Sequence, residues 1–366
     1  MRILHVTDHF PPALGGIETH VTQLAAHQAA RGDEVHVLTS TSANAEGRFE
    51  ADPPGVAVLR ARSTAEAFPL DFSGYDAVHA HVSVVAPFTG RVAAVAARRG
   101  VPTVVTVHSL WDGWGPVAAL AVEIAGLRSA PVLWSAVSTV AAEQLARRLP
   151  AGTDVGVVPN AVDVLPRTAT PVRPDAGVRF VSTMRLARRK QPLVLLGAFA
   201  ELRRRTDAPV HLTVVGDGPW GGRVRHRAER PDLRGAVDLP GRLEAGAVQQ
   251  VLATSDVYVA PARLESFGLA ALEARCVGLP VVARSGSGVS EFVREGREGW
   301  LVPDRSALAD RLLRLVEDPA DRLRVAEHNR TTPAGLTWAQ GLLRNDDLYA
   351  RAGSLRASRL EGRSMP

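Results

Sequence analysis

Short apolar segments of strand composition alternate with segments of helical spacing along this chain, and the alternation constrains the fold more than any other feature. Ile3–Thr7 is an apolar strand, Ile17–Ala30 carries apolar residues at helical intervals, and Glu34–Thr39 is the next strand. The alternation continues to Val155–Val158, stops, and restarts at Val178–Thr183. Strands and helices in this order predict parallel sheets covered by helices on both faces. We therefore predict an α/β protein with two doubly wound, Rossmann-like domains.

The interruption predicts the domain boundary. Residues 165–177 read LPRTATPVRPDAG, with three prolines and no apolar periodicity, which is typical of a linker. The predicted domains are residues 1–164 and residues 178–336, followed by a last helix over 337–353 and a loose basic tail over 354–366. Ligands of such sheets bind beyond the carboxyl ends of the strands, so two facing sheets predict a cleft.

Composition limits the class of protein. Of the 366 residues, 46% are hydrophobic and 22% charged, which is typical of a globular chain. The single cysteine, Cys276, excludes an internal disulfide and a thiolate metal site. The chain opens directly into a strand, without a signal peptide or an apolar run long enough for a membrane span, so we expect a cytoplasmic protein.

The charge balance leaves three classes of partner to consider. Lys and Arg exceed Asp and Glu by 43 to 38, a net charge of +5, which suits nucleic acid, an anionic membrane surface or an anionic substrate. The arginines are scattered and have no interleaved aromatic residues for base stacking, so nucleic acid is disfavoured. Peripheral contact with the inner face of a membrane stays open.

The segment Ala260–Ala274, APARLESFGLAALEA, follows an apolar strand and leads into a helix. Ser266 can cap this helix, Gly268 allows a close approach to the backbone, and the first turn of a helix is an anion site. Glu265 and Glu273 lie eight residues apart on either side of that turn. Carboxylates accept hydrogen bonds from sugar and ribose hydroxyls, so the pair suits a nucleotide-sugar site; the alternative is a helix acid favoured by the dipole together with one solvated loop acid.

This segment resembles the E-x7-E motif of the retaining glycosyltransferases of family 4, which have the GT-B fold of two facing Rossmann-like domains. The resemblance implies that Glu265 contacts the donor sugar and Glu273 the ribose. It assigns the donor diphosphate to the backbone amides of Phe267, Gly268 and Leu269. It also implies that the last helix, residues 337–353, packs back onto the first domain.

Two cations follow the first strand of the second domain. Fixed cations stabilise a departing diphosphate, and Arg185 and Lys190 lie in a loop that should face the ligand. The segment TMRLARRKQP resembles the R-L-x-x-x-K run of the family, whose Arg and Lys clamp the diphosphate. Met184 and Gln191 replace the glycines that flank the family's run, and these departures can alter the loop.

The remaining candidates follow other strand ends. HFPPALGGIETHV resembles the family's opening loop, which implies a phosphate contact for Gly16, with Gly15 and Glu18 as its neighbours. In TVHS, His108 resembles the loop histidine that contacts the donor sugar, and we count it with Arg185, Lys190 and Glu265 as catalytic. His5 and His81 are interpreted as structural or supporting residues. The resemblance also implies donor contacts for three residues in two further loops: Gly216, Arg242 and Leu243.

The chain has no D-x-D pair, which argues against a metal-dependent donor site, and we expect neither a metal nor a cofactor. The resulting hypothesis is a retaining hexosyltransferase that moves a hexose from UDP or GDP to an acceptor hydroxyl on a lipid, glycan or small molecule. The diphosphate itself would help to remove the acceptor proton. Two alternatives are a nucleotide-sugar epimerase of the same two-domain plan and a basic protein that binds nucleic acid or a membrane surface.

Overall fold

The computed structural model describes residues 1–13, 15–42, 52–111, 115–163 and 177–361. The chain divides into two compact units, one formed by Met1–Ala161 with Leu336–Pro366 and the other by Val162–Gly335. The predicted linker lies outside the described residues except for Gly177, and so does the end of the predicted tail, residues 362–366.

The first unit is built on a seven-stranded parallel sheet with the strand order β3-β2-β1-β4-β5-β6-β7. Its strands β4 and β5 are buried along their whole length, because helices cover both faces of the sheet. The strands are β1 (Arg2–Thr7), β2 (Glu34–Thr39), β3 (Val56–Arg60), β4 (Ala77–Val82), β5 (Thr103–Val107), β6 (Leu133–Ala136) and β7 (Val155–Val157). The helices are α1 (Gly16–Ala30), α2 (Thr64–Ala67), α3 (Pro87–Arg98), α4 (Gly115–Ile124) and α5 (Thr139–Ala146).

The second unit repeats the plan with a six-stranded parallel sheet, β10-β9-β8-β11-β12-β13. Its strands are β8 (Val178–Thr183), β9 (Val210–Val215), β10 (Val237–Gly241), β11 (Val257–Ala260), β12 (Val281–Arg284) and β13 (Gly299–Val302). Its helices are α6 (Pro192–Arg205), α7 (Gly221–Ala228), α8 (Ala245–Ala253), α9 (Leu269–Cys276), α10 (Arg305–Glu317) and α11 (Pro319–Thr331). Phe180 of β8 and Phe199 of α6 meet edge to face in its core, with ring centroids 6.1 Å apart.

The last helix, α12 (Trp338–Glu361), belongs to the first unit. Leu348, Tyr349 and Ala352 of α12 are buried in one cluster with Ile3 of β1 and Ala77 of β4. An exposed bidentate pair, in which Arg31 donates to Asp346 at 2.6 and 2.7 Å, joins the end of α1 to α12. Apolar burial therefore holds this helix in place, and the ion pair adds little, since surface pairs contribute about 1 kcal/mol or less.

The strand orders fix where each unit can bind a ligand. Both sheets reverse their direction of winding beside their first strand, between β1 and β4 in one unit and between β8 and β11 in the other. Loops that leave the carboxyl ends of neighbouring strands diverge at such a point and form a crevice. The observed architecture confirms the predicted α/β class with two doubly wound sheets. No described helix is long and apolar enough to cross a bilayer.

Candidate active site

The turn into α9 lies on the carboxyl side of β11, at the reversal point of the six-stranded sheet. Gly268 is the N-terminal cap, with φ 93° in the left-handed region, and no side chain caps the helix. The prediction that Ser266 caps α9 is wrong, because the chain turns into the helix two residues later. Gly268 is required here for its conformation and for space, since a Cβ would lie 2.7 Å from Cγ2 of Val289.

The turn presents backbone donors. The amides of Phe267, Gly268 and Leu269 donate to no group in the described part of the chain. The Phe267 side chain is fully buried, with its ring centroid 5.4 Å from that of Phe292, so this residue can meet a ligand only through its backbone. Unpaired amides at the positive end of a helix suit an anion such as a diphosphate.

Glu265 is paired with Lys190. The Lys190 ammonium donates to the Glu265 carboxylate at 2.5 Å, and the exposed fractions of the two side chains are 35% and 16%. The Glu265 carbonyl accepts from the Gly288 amide at 2.8 Å, which fixes the loop against the turn after β12. The structure therefore brings together two predicted site residues that are 75 positions apart in the sequence.

Glu273 lies on α9 in a different environment. Burial raises the pKa of its carboxyl from 4.5 to about 7, and no described residue donates a hydrogen bond to it. Burial raises the pKa of the neighbouring Tyr258 hydroxyl, and the charges of Glu265 and Glu273 raise it further. The charges of both acids therefore raise the pKa of the same tyrosine, a residue that sequence analysis did not select.

The loop after β8 carries the two predicted cations. Arg185 is exposed, and its side chain has no partner among the residues that the structure describes. Gln191 adopts a left-handed φ of 56°, and its amide oxygen accepts from the Arg263 backbone at 3.3 Å. Gln191 replaces the expected glycine, yet its backbone keeps a conformation in which glycine is most favourable.

The loops after β9 and β10 continue the same edge of the sheet. Gly216 has φ 129°, and a Cβ on it would lie 2.0 Å from the Met184 carbonyl oxygen, so this position must be glycine for the two loops to touch. The Gly216 amide donates to the Gly241 carbonyl at 2.8 Å. Arg242 is exposed and Leu243 half-buried just beyond it.

In the first unit, Gly16 is the first residue of α1 and lies at the carboxyl end of β1. A Cβ on Gly16 would meet no described heavy atom within 4 Å, whereas one on Gly15 would lie 2.5 Å from a Glu18 carboxylate oxygen. Packing within the described chain therefore gives no reason for glycine at position 16. An open glycine at the start of a helix suits a ligand that approaches the backbone.

His108 follows β5 and is buried, 6% exposed, with its imidazole Nε2 3.0 Å from Nδ1 of His81. Burial lowers its pKa from 6.5 to about 3, so the ring is neutral at pH 7. His81 and His5 are buried in the adjacent strands, in line with their interpretation as structural or supporting residues. His20, His79, Gln28 and Tyr349 complete the surrounding polar cluster, and sequence analysis missed them. The H-A-H pattern of β4, which puts two histidines on one face, is a signal that could have drawn attention to them.

Two groups of buried histidines have ring nitrogens within 4.8 Å of one another: His5 with His79 and His81, and His20 with His81 and His108. Hydrogen bonds of 2.9 and 3.0 Å already join His81 to His5 and to His108. A metal ion would have to replace these bonds, because a ring nitrogen that ligates a metal carries no proton.

Two family models match the chain in succession. The model for glycosyltransferase family 4 matches residues 14–164, and the model for glycosyl transferases group 1 matches residues 171–332. A D-inositol 3-phosphate glycosyltransferase from Nocardioides sp. is 29% identical over 92% of this chain and 85% of its own length. The protein of the same name from Paenarthrobacter aurescens is 30% identical over 84% of this chain and 86% of its own length.

Solved structures agree on the fold. The crystal structure of Anabaena Alr3699/HepE in complex with UDP and glucose superposes with a TM-score of 0.77 at 19% identity, covering 96% of this chain and 99% of that one. With the matching models and the full-length relatives, this agreement identifies the chain as an enzyme of the group 1, family 4 glycosyltransferases with the GT-B fold.

Proposed function

We propose that this glycosyltransferase moves a hexose from a nucleoside-diphosphate sugar to an acceptor hydroxyl, with retention of anomeric configuration and without a metal ion. The observation that carries the proposal is the set of groups at the carboxyl edge of the six-stranded sheet. There, Lys190 pairs with Glu265 at 2.5 Å, and Glu273 is half-buried without a hydrogen-bond donor among the described residues.

The diphosphate would lie against the loop after β8 and the start of α9. Arg185 and Lys190 supply positive charge, and the amides of Phe267, Gly268 and Leu269, which are unpaired within the described chain, supply donors. As the sugar leaves, negative charge grows on the phosphate, and donors already in position lower the barrier without reorganisation. Cationic side chains can therefore do the work that a divalent metal does in other transferases. The crystal structure of Anabaena Alr3699/HepE contains UDP, which supports a nucleoside diphosphate as the donor group.

The two carboxylates would hold the two rings of the donor. Glu273 has no donor partner among the residues that the structure describes, and the hydroxyls of a ribose would supply one. Glu265 would accept from hydroxyls of the hexose while Lys190 turns to the phosphate. Gly216, Arg242 and Leu243, on the neighbouring loops, would contact the nucleoside through backbone groups.

In the first unit, Gly16 would allow the backbone amide at the start of α1 to approach the diphosphate, and His108 would contact the hexose. The acceptor would approach on the face from which the diphosphate leaves, and a diphosphate oxygen would take its proton. This geometry predicts retention.

The test is a transfer assay in EDTA. UDP- and GDP-hexoses are offered with D-inositol 3-phosphate as the first acceptor, because the relatives from Nocardioides sp. and P. aurescens are named for it. Proton NMR of the new linkage reports the anomeric configuration. Transfer from an α-linked donor to an α-linked product supports the proposal. A β-linked product would contradict retention, and transfer only after Mg²⁺ is restored would contradict metal independence.

A further inference from the structure

Three segments at the carboxyl edge of the seven-stranded sheet contain no cation. The proposed function brings the acceptor to this edge, where Gly16 and His108 lie. The segments follow the central strands β1, β4 and β5, and we call them the acceptor-side segments: residues 8–19, 83–90 and 108–120. None of the three contains a lysine or an arginine. Their acids are Asp8, Glu18 and Asp112, the last outside the described residues.

The two acids that the structure describes supply negative charge at this edge. The Asp8 carboxylate accepts from the backbone amides of Phe88 and Thr89 at 3.4 and 3.0 Å, so it occupies the first turn of α3, where an anion could otherwise bind. Glu18 is half-buried in the first turn of α1 and forms an ion pair with no described cation. The His108 imidazole adds no charge at pH 7, because burial lowers its pKa to about 3. An anionic group of an acceptor would therefore be repelled here.

Other cations of the first unit are occupied or lie farther from the central strands. Arg60, the last residue of β3, donates to two backbone carbonyls at 2.9 and 3.1 Å and to the Asp52 carboxylate at 2.7 Å. Arg62 is exposed after β3, two strands away from β1, which is about 10 Å across a sheet. Arg91 is exposed in the second turn of α3. None of these three belongs to the acceptor-side segments.

Exposed apolar side chains lie on the acceptor-side segments. Val85, in the loop after β4, is 48% exposed, and Val117, in the first turn of α4, is 44% exposed. Val84, next to Val85, and Val122 of α4 pack against the same buried cluster, which includes Trp111. The loop after β4 and α4 are therefore neighbours, and their exposed valines suit an apolar group of a ligand.

We propose that the acceptor is an uncharged hydroxyl compound with an apolar group, and that a phosphorylated acceptor is disfavoured. The inference rests on the proposed function, which places the acceptor beside Gly16 and His108. A protein that recognises a phosphate matches its charge with arginine, lysine or unpaired amides. The relatives from Nocardioides sp. and P. aurescens are named for D-inositol 3-phosphate, so the inference separates this chain from them by its acceptor.

The charge of the acceptor is tested with a matched pair, myo-inositol and D-inositol 3-phosphate. Transfer is measured at pH 8, because His9 is exposed after β1 and histidine usually titrates near pH 6.5. We expect kcat/KM to be about 10-fold lower for the phosphorylated member. The difference should shrink as the salt concentration rises, since salt screens repulsion. A preference for D-inositol 3-phosphate, or equal values at low salt, would overturn the inference.

Glu18→Gln tests whether an acid of this edge causes the difference. The variant should reduce the disadvantage of D-inositol 3-phosphate about 3-fold, because one repelling charge is removed. Glu123→Gln is the matched control, since Glu123 is an exposed acid near the other end of α4, and it should leave the ratio unchanged. An unchanged ratio in folded Glu18→Gln, or an equal change in Glu123→Gln, would contradict the inference.

The apolar group is tested with methyl and butyl β-D-glucoside. Butyl β-D-glucoside should have a kcat/KM about 10-fold higher, because burial of its additional methylene groups is favourable. Val117→Ser should remove most of this advantage. Ile124→Ser is the control, since Ile124 is 59% exposed at the far end of the same helix. No advantage of the butyl compound, equal losses in the two variants, or a dimer of the wild type that Val117→Ser dissociates would overturn the apolar part of the inference.

Both pairs are also compared by calorimetric titration of the UDP-loaded protein, so that the answer does not depend on which hydroxyl reacts. If UDP does not bind and no hexose is transferred from any donor, the proposed function fails, and the inference fails with it. If the donor is used and D-inositol 3-phosphate binds or reacts better than myo-inositol, the inference alone fails.

Discussion

At the scale of single residues, Glu265 and Glu273 have the same chemistry and opposite surroundings. Glu265 faces the Lys190 ammonium at 2.5 Å, whereas Glu273 is half-buried without a donor in the described chain. Burial without a partner disfavours the charged form of a carboxyl. The free protein therefore holds Glu273 at a cost in stability, which hydrogen bonds from a bound ribose would reduce.

The cost of burying the Glu273 carboxylate predicts how the stability of Glu273→Gln, relative to the wild type, depends on pH. The carboxyl has a pKa of about 7 in the folded protein against 4.5 as the reference, so the folded state keeps a proton that the unfolded state releases. This contribution makes the wild type less stable as pH rises from 4.5 to 7. Urea denaturation should find Glu273→Gln more stable than the wild type by up to about 3 kcal/mol at pH 8. The difference should disappear below pH 4.5.

Glu265→Gln is the control for this experiment, because it removes the charge opposite Lys190 and should not stabilise the protein at pH 8. Equal stability of Glu273→Gln and the wild type at pH 8 would show that the Glu273 carboxylate is compensated, contrary to our account.

A substitution at Gly16 should change ligand binding and stability in opposite directions. A Cβ at this position meets no described atom within 4 Å, and alanine is the better helix former by roughly 0.5–1 kcal/mol. Gly16→Ala should therefore raise the melting temperature slightly and weaken binding of UDP-sugar about 10-fold, as measured by calorimetry. Gly353→Ala in α12 is the matched control, since its Cβ also has open space. It should give the same stabilisation with unchanged binding. Unchanged binding in Gly16→Ala would remove Gly16 from the proposed site.

Sequence analysis found Lys190, Glu265 and Glu273 by their spacing and their resemblance to a family, but it could not find their environments. The 75 residues between Lys190 and Glu265 hide their pairing, because only the sheet brings the loops after β8 and β11 together. Similarly, His108 could be selected as a residue after a strand. Its burial and its bond to His81 depend on packing that a local pattern does not contain.

At the scale of elements, the apolar periodicity predicted the strands of both sheets and the helices that cover them. The predicted cap of α9 was wrong. Ser266 has the chemistry of a cap, but the turn closes at Gly268. The reason is a contact from a distant segment: Gly288 approaches so closely that a Cβ there would lie 2.0 Å from the Ser266 carbonyl oxygen. Such contacts override local capping preferences and are not visible in a short sequence window.

Glu298, just before β13, stabilises the second unit by joining two elements. It is fully buried and accepts from Arg294 at 2.5 Å, and its carboxylate lies 3.3 Å from Nε2 of His328 in α11. The Arg275 guanidinium of α9 lies 3.8 Å away. Burial alone would raise the pKa of Glu298, but the hydrogen bonds from Arg294 and His328 and the charge of Arg275 lower it to about 2.

Glu298→Gln should therefore lower the free energy of unfolding at pH 7 by about 3 kcal/mol, because it leaves the buried Arg275 guanidinium without its anion. The charged carboxylate contributes above pH 4.5, and its contribution is lost as the pH falls towards 2, so the difference from the wild type should shrink over that range. Urea denaturation of both proteins at pH 7 and pH 3 measures this difference in the free energy of unfolding. Glu327→Gln, in an exposed pair with Arg330, should change stability by less than about 1 kcal/mol. Equal effects of the two substitutions would contradict this role for Glu298.

At the scale of the whole molecule, the chain uses one plan twice. Each unit has a parallel sheet that reverses its winding beside its first strand, and each places candidate residues after the strands at that point. In the second unit these residues are Arg185, Lys190 and Glu265, and in the first unit Gly16 follows β1 at that point, while His108 follows the next strand of the sheet, β5. The repeated plan follows from the sequence, since two series of alternating strands and helices are separated by a proline-rich segment.

The central claim is that the second unit binds the diphosphate of the donor through Lys190, without a metal. Calorimetric titration of UDP in EDTA tests it with two variants of the same short helical turn, Arg188–Lys190. We expect the wild type to bind UDP, and Lys190→Ala to bind about 10- to 100-fold more weakly, the loss of a hydrogen bond to a charged group. Arg188→Ala, which removes an exposed charge from the same turn, should bind within about twofold of the wild type. UDP binding that requires Mg²⁺, or equal affinities in folded Lys190→Ala and Arg188→Ala, would contradict the claim.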